Sequence, residues 1–297
     1  MISYSVTPIH EIRIPELEAA GVRLLIKRED QNHPEISGNK WWKLKYNLAE
    51  ALHQEKDTIL TFGGSFSNHI YSTAAAAQLC GLKSIGIIRG EESLPMNPIL
   101  SFSRSKGTHL HFLDRESYRQ KTSSTQLEKL KVQFGDFYLI PEGGTNELAV
   151  KGCREFGEQL QNECDFNYLC LPVGTGGTMA GIIQGLNSRH SVIGFSVLKG
   201  GEFLEEDVRH LLQVTDKTSP VKWRIETNYH FGGYGKVTDE LKTFIQCQFE
   251  KHNLPLDPVY TSKTLFGIYD LVQKQEFSKG STILLLHTGG LPAGLSK

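Results

Sequence analysis

A lysine at the start of a predicted helix is the residue of this chain best placed for chemistry. In Ser37-Gly38-Asn39-Lys40 a Gly-Asn turn leads into the lysine, and Trp41, Leu44 and Leu48 follow at helical spacing. We therefore expect Lys40 in the first turn of a helix that runs to about Gln54. The positive end of the helix dipole lowers the pKa of an ammonium group there, and attack on an aldehyde requires a neutral amine. The alternative is an ordinary solvated lysine.

A glycine-rich stretch after an apolar run predicts an anion site. Gly174-Thr175-Gly176-Gly177-Thr178 separates a predicted strand from a predicted helix. Glycines let backbone N–H groups approach a ligand, and the helix N-terminus adds partial positive charge, so this stretch can cradle a phosphate. It matches neither a Walker loop nor the dinucleotide pattern Gly-x-Gly-x-x-Gly. A plain tight turn is the alternative.

A second candidate anion site lies at the start of another predicted helix. Ser67-Asn68-His69 follow Gly63-Gly64 and precede an alanine-rich segment. Free N–H groups at a helix start, with the Ser67 hydroxyl, can hold a carboxylate. Serine and asparagine are also the favoured helix caps, so a purely structural role stays open.

Three further segments carry polar or aromatic side chains next to glycines or turns. Tyr234 lies in a glycine-rich loop, Tyr260 ends a run that is expected to be extended, and His287 ends an apolar run that opens into Thr288-Gly289-Gly290. The usual role of a single tyrosine is packing. We expect these segments to matter only if the fold brings them to the same crevice.

The elements that must position these residues alternate between strands and helices, as in an α/β protein. Predicted strands span residues 23–28, 58–62, 84–89, 108–112, 137–140, 167–173, 191–197 and 282–287. Predicted helices span residues 40–54, 74–79, 98–106, 115–132, 147–161, 179–183, 240–251 and 265–275. Residues 1–36 are expected to form an arm, and residues 199–240 to be less regular. Continuous apolar runs favour parallel strands buried on both faces, with ligands at their carboxyl ends.

Composition excludes several classes of function. The 297 residues carry a net charge of -1, which gives no indication of nucleic acid or an anionic membrane as a partner. No window approaches the ~18 apolar residues of a membrane span, and the N-terminus lacks a signal-peptide pattern. The five cysteines are widely spaced without Cys-x-x-Cys, so we expect reduced thiols, a cytoplasmic protein and no metal site.

Taken in their order along the chain, these segments resemble the fold-type II pyridoxal 5'-phosphate (PLP) enzymes, in the branch of D-cysteine desulfhydrase and 1-aminocyclopropane-1-carboxylate (ACC) deaminase. The resemblance rests on Ser37-Gly38-Asn39-Lys40 with Lys43, Gly63-Gly64 through Ser67-Asn68-His69, Gly174 to Thr178, Tyr260 and His287-Thr288-Gly289-Gly290. It implies a tryptophan-synthase-β-like α/β fold with two domains of open, mostly parallel sheet flanked by helices. Residues 1–45 and 151–297 would form the large PLP-binding domain and residues 46–150 the small one. A homodimer is also implied.

The resemblance assigns cofactor-binding roles residue by residue. Lys40 would bind the aldehyde of PLP covalently and later shuttle the Cα proton. Lys43 would lie near the phosphate, which residues 174–178 would cradle. Asn68 would contact the pyridine ring or its substituents, and Thr288 would approach the pyridine nitrogen.

The substrate is implied to be a small amino acid. Ser67 and His69, beside Asn68, would hold its carboxylate, and Tyr234 and Tyr260 would face it. A carboxylate site is needed because it fixes which Cα bond lies perpendicular to the ring. No histidine, cysteine or carboxylate cluster in the sequence has metal-ligand spacing, so we expect no metal in the site.

Two positions depart from ACC deaminase. The ACC deaminase pattern has Tyr-Glu where this chain has Tyr260-Thr261, and His-Leu-Gly-Gly where this chain has His287-Thr288 followed by two glycines. A hydroxyl cannot keep the pyridine nitrogen protonated as a carboxylate does, so this chain matches the desulfhydrase side. We therefore expect β-elimination from D-cysteine, with ACC as the alternative substrate. From other classes, a PLP- or metabolite-binding protein with little turnover and a nucleotide-binding α/β protein without PLP stay open.

Overall fold

Ten strands and eleven α-helices build the computed structural model over residues 2–214 and 220–290, the part of the chain that it describes. The strands are β1 Ile9–Ile12, β2 Arg23–Lys27, β3 Thr58–Gly64, β4 Lys83–Arg89, β5 His109–Leu113, β6 Tyr138–Ile140, β7 Tyr168–Val173, β8 Ser191–Ser196, β9 Lys222–Glu226 and β10 Thr282–Leu286. The helices are α1 Pro15–Ala20, α2 Asn39–His53, α3 Asn68–Leu79, α4 Pro98–Ser105, α5 Arg115–Arg119, α6 Ser124–Phe134, α7 Glu147–Glu163, α8 Gly177–Gly185, α9 Leu204–Val214, α10 Asp239–His252 and α11 Thr261–Gln273. None of the helices in these ranges is long and apolar enough to span a membrane.

Two sheets organise these elements. The larger has the strand order β1-β2-β10-β7-β8-β9 and the smaller β5-β4-β3-β6. Every neighbouring pair is parallel except β1 and β2. All five residues of the central strand β10 are buried, as expected for a strand covered by helices on both faces. The predicted α/β fold with open, mostly parallel sheets is confirmed.

The larger sheet joins both ends of the chain. Strand β10 pairs with β2 from the N-terminal arm and with β7, so Leu284 lies opposite both Leu25 and Leu169. The proposed division into residues 1–45 with 151–297 and residues 46–150 places its boundaries inside helices α2 and α7. It stays a prediction. Residues 1, 215–219 and 291–297 of the predicted large domain lie outside the described residues.

Most predicted elements are confirmed within a few residues, and three regions differ. The N-terminal arm contains β1 and α1. The predicted helix over 115–132 is two helices, because Ser123 caps the start of α6 by accepting a hydrogen bond from the N–H of Gln126. The segment expected to be irregular, 199–240, contains α9 and the edge strand β9, whose alternating charged side chains lack an apolar run.

Close helix packing brings two candidate site segments together. Helix α7 lies against both α2 and α8, and glycines occupy the contact positions. A Cβ on Gly152 would lie 2.1 Å from the carbonyl oxygen of Trp42 in α2, and one on Gly185 would lie 2.2 Å from that of Arg154. The backbones of α2 and α8 therefore approach α7 more closely than side chains would allow. Their N-termini, which carry Lys40 and Thr178, end up side by side.

We predict that Gly181→Ala destabilises the protein. A Cβ there would lie 2.4 Å from Cβ of Cys153 and 2.6 Å from the carbonyl oxygen of Val150. We expect the free energy of unfolding to fall by about 1–3 kcal/mol, although alanine is intrinsically the better helix former. Urea denaturation measures this, with Asn162→Ala on the exposed side of α7 as the control. Equal stability of Gly181→Ala and the unmodified protein would contradict the close packing of α7 and α8.

Candidate active site

A cavity of about 390 Å³ opens at the carboxyl ends of the parallel strands, where the predicted site residues converge. Twelve of the thirteen line it: Lys40, Lys43, Ser67, Asn68, His69, Gly174, Thr175, Gly176, Thr178, Tyr234, Tyr260 and Thr288. Gly177 instead packs behind the wall, where a Cβ would lie 2.9 Å from Cγ2 of Thr145. The structure thus assembles segments from both sheets around one space.

The turn before Lys40 is fixed by a buried side chain. The Asn32 amide accepts a hydrogen bond from the Gly38 N–H and donates one to its carbonyl, both at 3.0 Å. Gly38 has φ 74°, which favours glycine, and a Cβ there would lie 1.9 Å from the carbonyl oxygen of Thr288. The N–H of Asn39 donates to the same carbonyl at 3.3 Å. The turn therefore rests directly on the chain that follows β10.

Lys40 points from the first turn of α2 toward the cavity. Its Nζ donates to Oδ1 of Asn39 at 3.0 Å, and the amide of Asn39 donates to Oγ1 of Thr178 at 2.8 Å. Burial lowers the pKa of Lys40 to about 8, although Cys153 and Asp257 act in the opposite direction. A substantial fraction of the amine is thus neutral near physiological pH, as nucleophilic attack requires.

Lys43 lies one helical turn further on and is fully buried. Its Nζ donates to the carbonyl oxygen of Gly143 at 2.5 Å and to Oγ1 of Thr145 at 2.8 Å, and Oγ1 of Thr175 lies 3.5 Å away. Burial and the like charge of Lys40 lower the pKa of Lys43 to about 7. Among the described residues, no carboxylate lies within ion-pair distance of Lys43. An anion bound here would supply the missing counter-charge.

The loop before α8 has the geometry of an anion cradle. Gly176 adopts the left-handed conformation, with φ 75°, and a Cβ there would lie 2.9 Å from Cγ2 of Val208. The next residues start the helix, whose first N–H groups lack partners within the helix. Thr175 and Thr178 line the cavity together with this loop, and Nζ of Lys43 lies 3.5 Å from Oγ1 of Thr175. This arrangement suits a phosphate group.

The start of α3 is both capped and open to a ligand. Oγ of Ser67 accepts a hydrogen bond from the N–H of Ile70 at 3.4 Å, so the serine is a helix cap. Asn68 is the first residue of the helix, and its amide Nδ2 would lie 2.7 Å from a Cβ on Gly290. Asn68 and His69 line the cavity, and their N–H groups belong to the first turn of the helix, where N–H groups lack partners within the helix. The cap and the carboxylate site are therefore compatible.

Both ring nitrogens of His69 contact buried threonines of the protein interior. Oγ1 of Thr61 donates its proton to the carbonyl oxygen of Ile140 at 2.8 Å, so Nε2–H of His69 must be the donor in its 2.7 Å contact with Thr61. Nδ1 of His69 then accepts, and Oγ1 of Thr73 lies 3.4 Å from it. Burial and the two nearby lysines lower the pKa of His69 well below its usual range. The ring is neutral, so an anion would be held by the backbone N–H of His69 rather than by its charge.

Two tyrosines form a pair at the cavity wall. The hydroxyl of Tyr260 donates to that of Tyr234 at 3.3 Å, and their rings meet edge to face with centroids 6.0 Å apart. Burial raises the pKa of both phenols, that of Tyr260 well above its usual range. Both are therefore protonated near neutral pH. Because Tyr234 accepts from Tyr260, its own proton can be directed into the cavity.

Thr288 and Thr261, the two positions that depart from ACC deaminase, differ in placement. Thr288 lines the cavity, whereas Thr261 is completely buried outside its lining. Oγ1 of Thr261 has no partner among the described residues, and its N–H donates to Asp257 at 2.8 Å. The buried Asp257 carboxylate also accepts from the N–H groups of Val259 and Tyr260. Burial raises the pKa of Asp257.

Several residues that line the cavity or support its wall were not predicted as site residues. Asn39 bridges Lys40 and Thr178, and Thr145 joins Lys43 to Thr175, whose hydroxyl lies 2.6 Å from that of Thr145. A signal for Thr145 exists in the sequence, since Gly143-Gly144-Thr145 repeats the pattern of glycines after a strand. Others carry no local signal and reach the cavity from separate elements, among them Arg89, Glu142, Phe203 and Asp207.

Comparison with known proteins identifies a family whose pattern matches nearly the whole chain. The sequence pattern of the family described as "Pyridoxal-phosphate dependent enzyme" matches residues 2–289. A putative 1-aminocyclopropane-1-carboxylate deaminase of Pyrococcus abyssi is 34% identical over 284 residues, which cover 92% of this chain and 86% of that protein. A mitochondrial bifunctional D-cysteine desulfhydrase/1-aminocyclopropane-1-carboxylate deaminase of Arabidopsis thaliana is 33% identical over 308 residues, covering 96% and 76%.

A solved structure agrees with these relatives. The crystal structure of an ACC deaminase homologue superposes with a TM-score of 0.84 at 29% identity, covering 96% of this chain and 90% of that one. The similarity extends over both sheets and is not limited to one of them. The whole chain is therefore similar to these proteins.

We predict that Lys40 reacts with amine reagents at unusually low pH. Its pKa of about 8 makes half of the amine neutral at that pH, more than two units below an ordinary lysine. Acetylation of the ligand-free protein across pH, read by mass spectrometry, should give a half-maximal rate for Lys40 near pH 8. The exposed Lys129 in the same spectra controls for reagent reactivity. A rate for Lys40 that rises only above pH 10 would contradict the depressed pKa.

Proposed function

Since this chain belongs to the family of pyridoxal-phosphate-dependent enzymes, within the branch of ACC deaminases and D-cysteine desulfhydrases, we propose that it eliminates the thiol of D-cysteine. It is a PLP-dependent lyase or deaminase with the fold-type II architecture. The proposed reaction converts D-cysteine and water into pyruvate, hydrogen sulfide and ammonia. The observation that carries the proposal is an amine with a lowered pKa, Lys40, in a cavity with two separate anion sites.

The described residues fit PLP. Lys43 is a buried lysine without a carboxylate partner, the glycine loop 174–178 presents N–H groups beside it, and Lys40 supplies the amine. Lys40 would bind the aldehyde of the cofactor, and Lys43 with the loop would hold its phosphate. Thr288 would lie at the ring nitrogen. When bound, PLP supplies a conjugated ring that accepts the electron pair left at Cα when a proton is removed.

The chain's own residues would orient the substrate. The N–H groups at the start of α3, with Ser67 as its cap, would hold the carboxylate of the amino acid. Asn68 would stand between this site and the ring. A fixed carboxylate leaves one Cα bond perpendicular to the ring, which is the condition for proton removal.

Two groups would move protons. Nζ of Lys40, neutral in a large fraction near pH 8, would take the proton from Cα. The phenol of Tyr234, which burial keeps protonated although the hydrogen bond from Tyr260 lowers its pKa, would donate to the leaving sulfur. The pKa shifts agree with this division, because the raised pKa keeps the phenol protonated as a hydrogen-bond donor and the lowered pKa leaves a fraction of the Lys40 amine neutral and able to accept a proton.

Thr288 supports D-cysteine over ACC as the substrate. Thiolate is a good leaving group, so its elimination tolerates a ring nitrogen that faces a hydroxyl instead of a carboxylate. Opening the cyclopropane of ACC, which with water gives 2-oxobutyrate and ammonia, requires the stronger electron sink. ACC stays the second candidate because the relatives from Pyrococcus abyssi and Arabidopsis thaliana carry that activity in their names.

A homodimer in the cytoplasm is part of the proposal. Its support is the resemblance to the family and the fact that all five cysteines are free thiols. Sedimentation equilibrium would test the assembly against the monomer mass of 33.3 kDa.

Lys40 is predicted to be the residue that binds PLP covalently. Borohydride reduction of the protein incubated with PLP should leave a stable adduct on the Lys40 peptide, and Lys40→Ala should leave none. Lys43→Ala is the matched control, since it should weaken PLP binding while the adduct still forms at Lys40. Intact-mass and peptide mass spectrometry provide the readout. An adduct of equal yield in Lys40→Ala would refute the assignment.

The substrate is tested with a panel of D-cysteine, L-cysteine, β-chloro-D-alanine, D-serine and ACC, scored by pyruvate or 2-oxobutyrate. We expect kcat/KM for D-cysteine to exceed that for ACC at least about tenfold, the scale on which single pocket contacts discriminate. Thr261→Glu combined with Thr288→Leu should shift this ratio toward ACC. Thr261→Glu alone, which buries a second carboxylate near Asp257, controls for lost stability.

Two results would count against this assignment. Turnover of ACC but not D-cysteine would favour the deaminase. A protein that binds PLP and turns over none of the five compounds would favour a cofactor-binding protein.

A further inference from the structure

Lys263 is a buried lysine outside the cavity that neither the cofactor nor the substrate would touch. It lies in the first turn of α11, and its side chain is completely buried. Both placements are unfavourable, because burial removes the hydration of an ammonium group and the helix N-terminus carries positive partial charge. Something in its surroundings must offset these costs.

Two backbone carbonyls provide that offset. Nζ of Lys263 donates to the carbonyl oxygens of His230 and Gly233, each at 2.9 Å. The same two oxygens close consecutive turns, accepting from the N–H groups of Gly233 at 3.0 Å and Lys236 at 3.1 Å. The ammonium group therefore sits at the junction of two turns.

The loop that Lys263 holds, residues 230–235, is conformationally costly. Phe231 has φ 52°, and Gly232, Gly233 and Gly235 have φ of 91°, 118° and 70°. A non-glycine residue with positive φ is strained, and glycines add flexibility that must be lost on ordering. Without an external anchor, such a loop would populate several conformations.

Tyr234 is the residue of this loop that faces the cavity. Its hydroxyl lies 3.3 Å from that of Tyr260, which immediately precedes α11. Tyr260 is thus positioned by the start of α11 directly, and Tyr234 is tied to the same helix turn through Lys263. One helix start would set the distance between the two phenols.

We propose that Lys263 is a positioning residue that aims Tyr234 at the substrate by clamping the loop 230–235 onto the start of α11. It acts through backbone carbonyls and touches neither cofactor nor substrate. Without the clamp, Tyr234 would no longer be held at a fixed distance from the reacting atoms. The proposal rests on the proposed function only where catalysis is the readout.

The first test measures how well the loop 230–235 is ordered, and it requires no substrate. Hydrogen exchange of the PLP-bound protein should show slow exchange for the N–H groups of Gly233 and Lys236, and Lys263→Met should speed it at least about tenfold. Lys27→Met is the matched control, since Lys27 is equally buried but donates to Thr7 and Glu163. It should leave exchange in this loop unchanged. Unprotected amides in the unmodified protein, or equal effects of both variants, would overturn the clamp.

The second test is a double-mutant cycle with whichever substrate the protein turns over. Lys263→Met should lower kcat by about 10- to 100-fold with a smaller change in KM, the cost of a misplaced catalytic group. In a Tyr234→Phe background, Lys263→Met should have little further effect, because the hydroxyl that it aims is already absent. Additive effects would mean that Lys263 acts only on stability.

A conservative variant covers the case in which Lys263→Met does not fold. Lys263→Arg keeps a cation with several donors and should restore both loop protection and most of kcat. Lys263→Gln, which offers one neutral amide, should fall between Arg and Met. If Lys263→Arg and Lys263→Gln show equal protection and equal kcat, the charge-assisted clamp is refuted. If no substrate is found, the exchange data still decide the clamp, so its failure is distinct from that of the proposed function.

Discussion

The whole site depends on a backbone contact between the two ends of the chain. Gly38 rests on the carbonyl of Thr288 so closely that a Cβ would lie 1.9 Å from the oxygen. This contact fixes the turn that starts α2 and thereby the direction of Lys40. It also brings Thr288 to the cavity wall. Strand β10, paired with β2 and β7, supplies the rigid base from which Thr288 extends.

Lysines without carboxylate partners are the main electrostatic feature around this contact. Lys40, Lys43 and Lys263 are lysines in or near the site, and none has a carboxylate within ion-pair distance among the described residues. Carbonyls and hydroxyls satisfy their hydrogen bonds but do not neutralise them. Lys40 and Lys43 therefore lack counter-charges, which the phosphate of PLP and the carboxylate of an amino acid would supply. The ammonium group of Lys263 instead donates hydrogen bonds to backbone carbonyls of the loop 230–235.

The division of acid and base follows from burial. Burial lowers the pKa of Lys40 and raises the pKa of Tyr234, which makes one a base and the other a donor at the same pH. His69, at the start of α3, stays neutral because burial and two nearby lysines lower the pKa of its ring well below its usual range. The ring nitrogens contact Thr61 and Thr73.

The sequence alone determined the α/β fold, the helix start at Lys40 and the order of the glycine-rich stretches, because these follow from local periodicity and turn chemistry. It did not predict β9 or the roles of Asn39, Thr145 and Lys263. An edge strand with alternating charges lacks an apolar run, and each of these three side chains has a partner at least 30 residues away in the chain. Only the tertiary structure decided that Thr288 reaches the cavity while Thr261 does not, since that depends on how β10 and α11 pack and not on the types of the two residues.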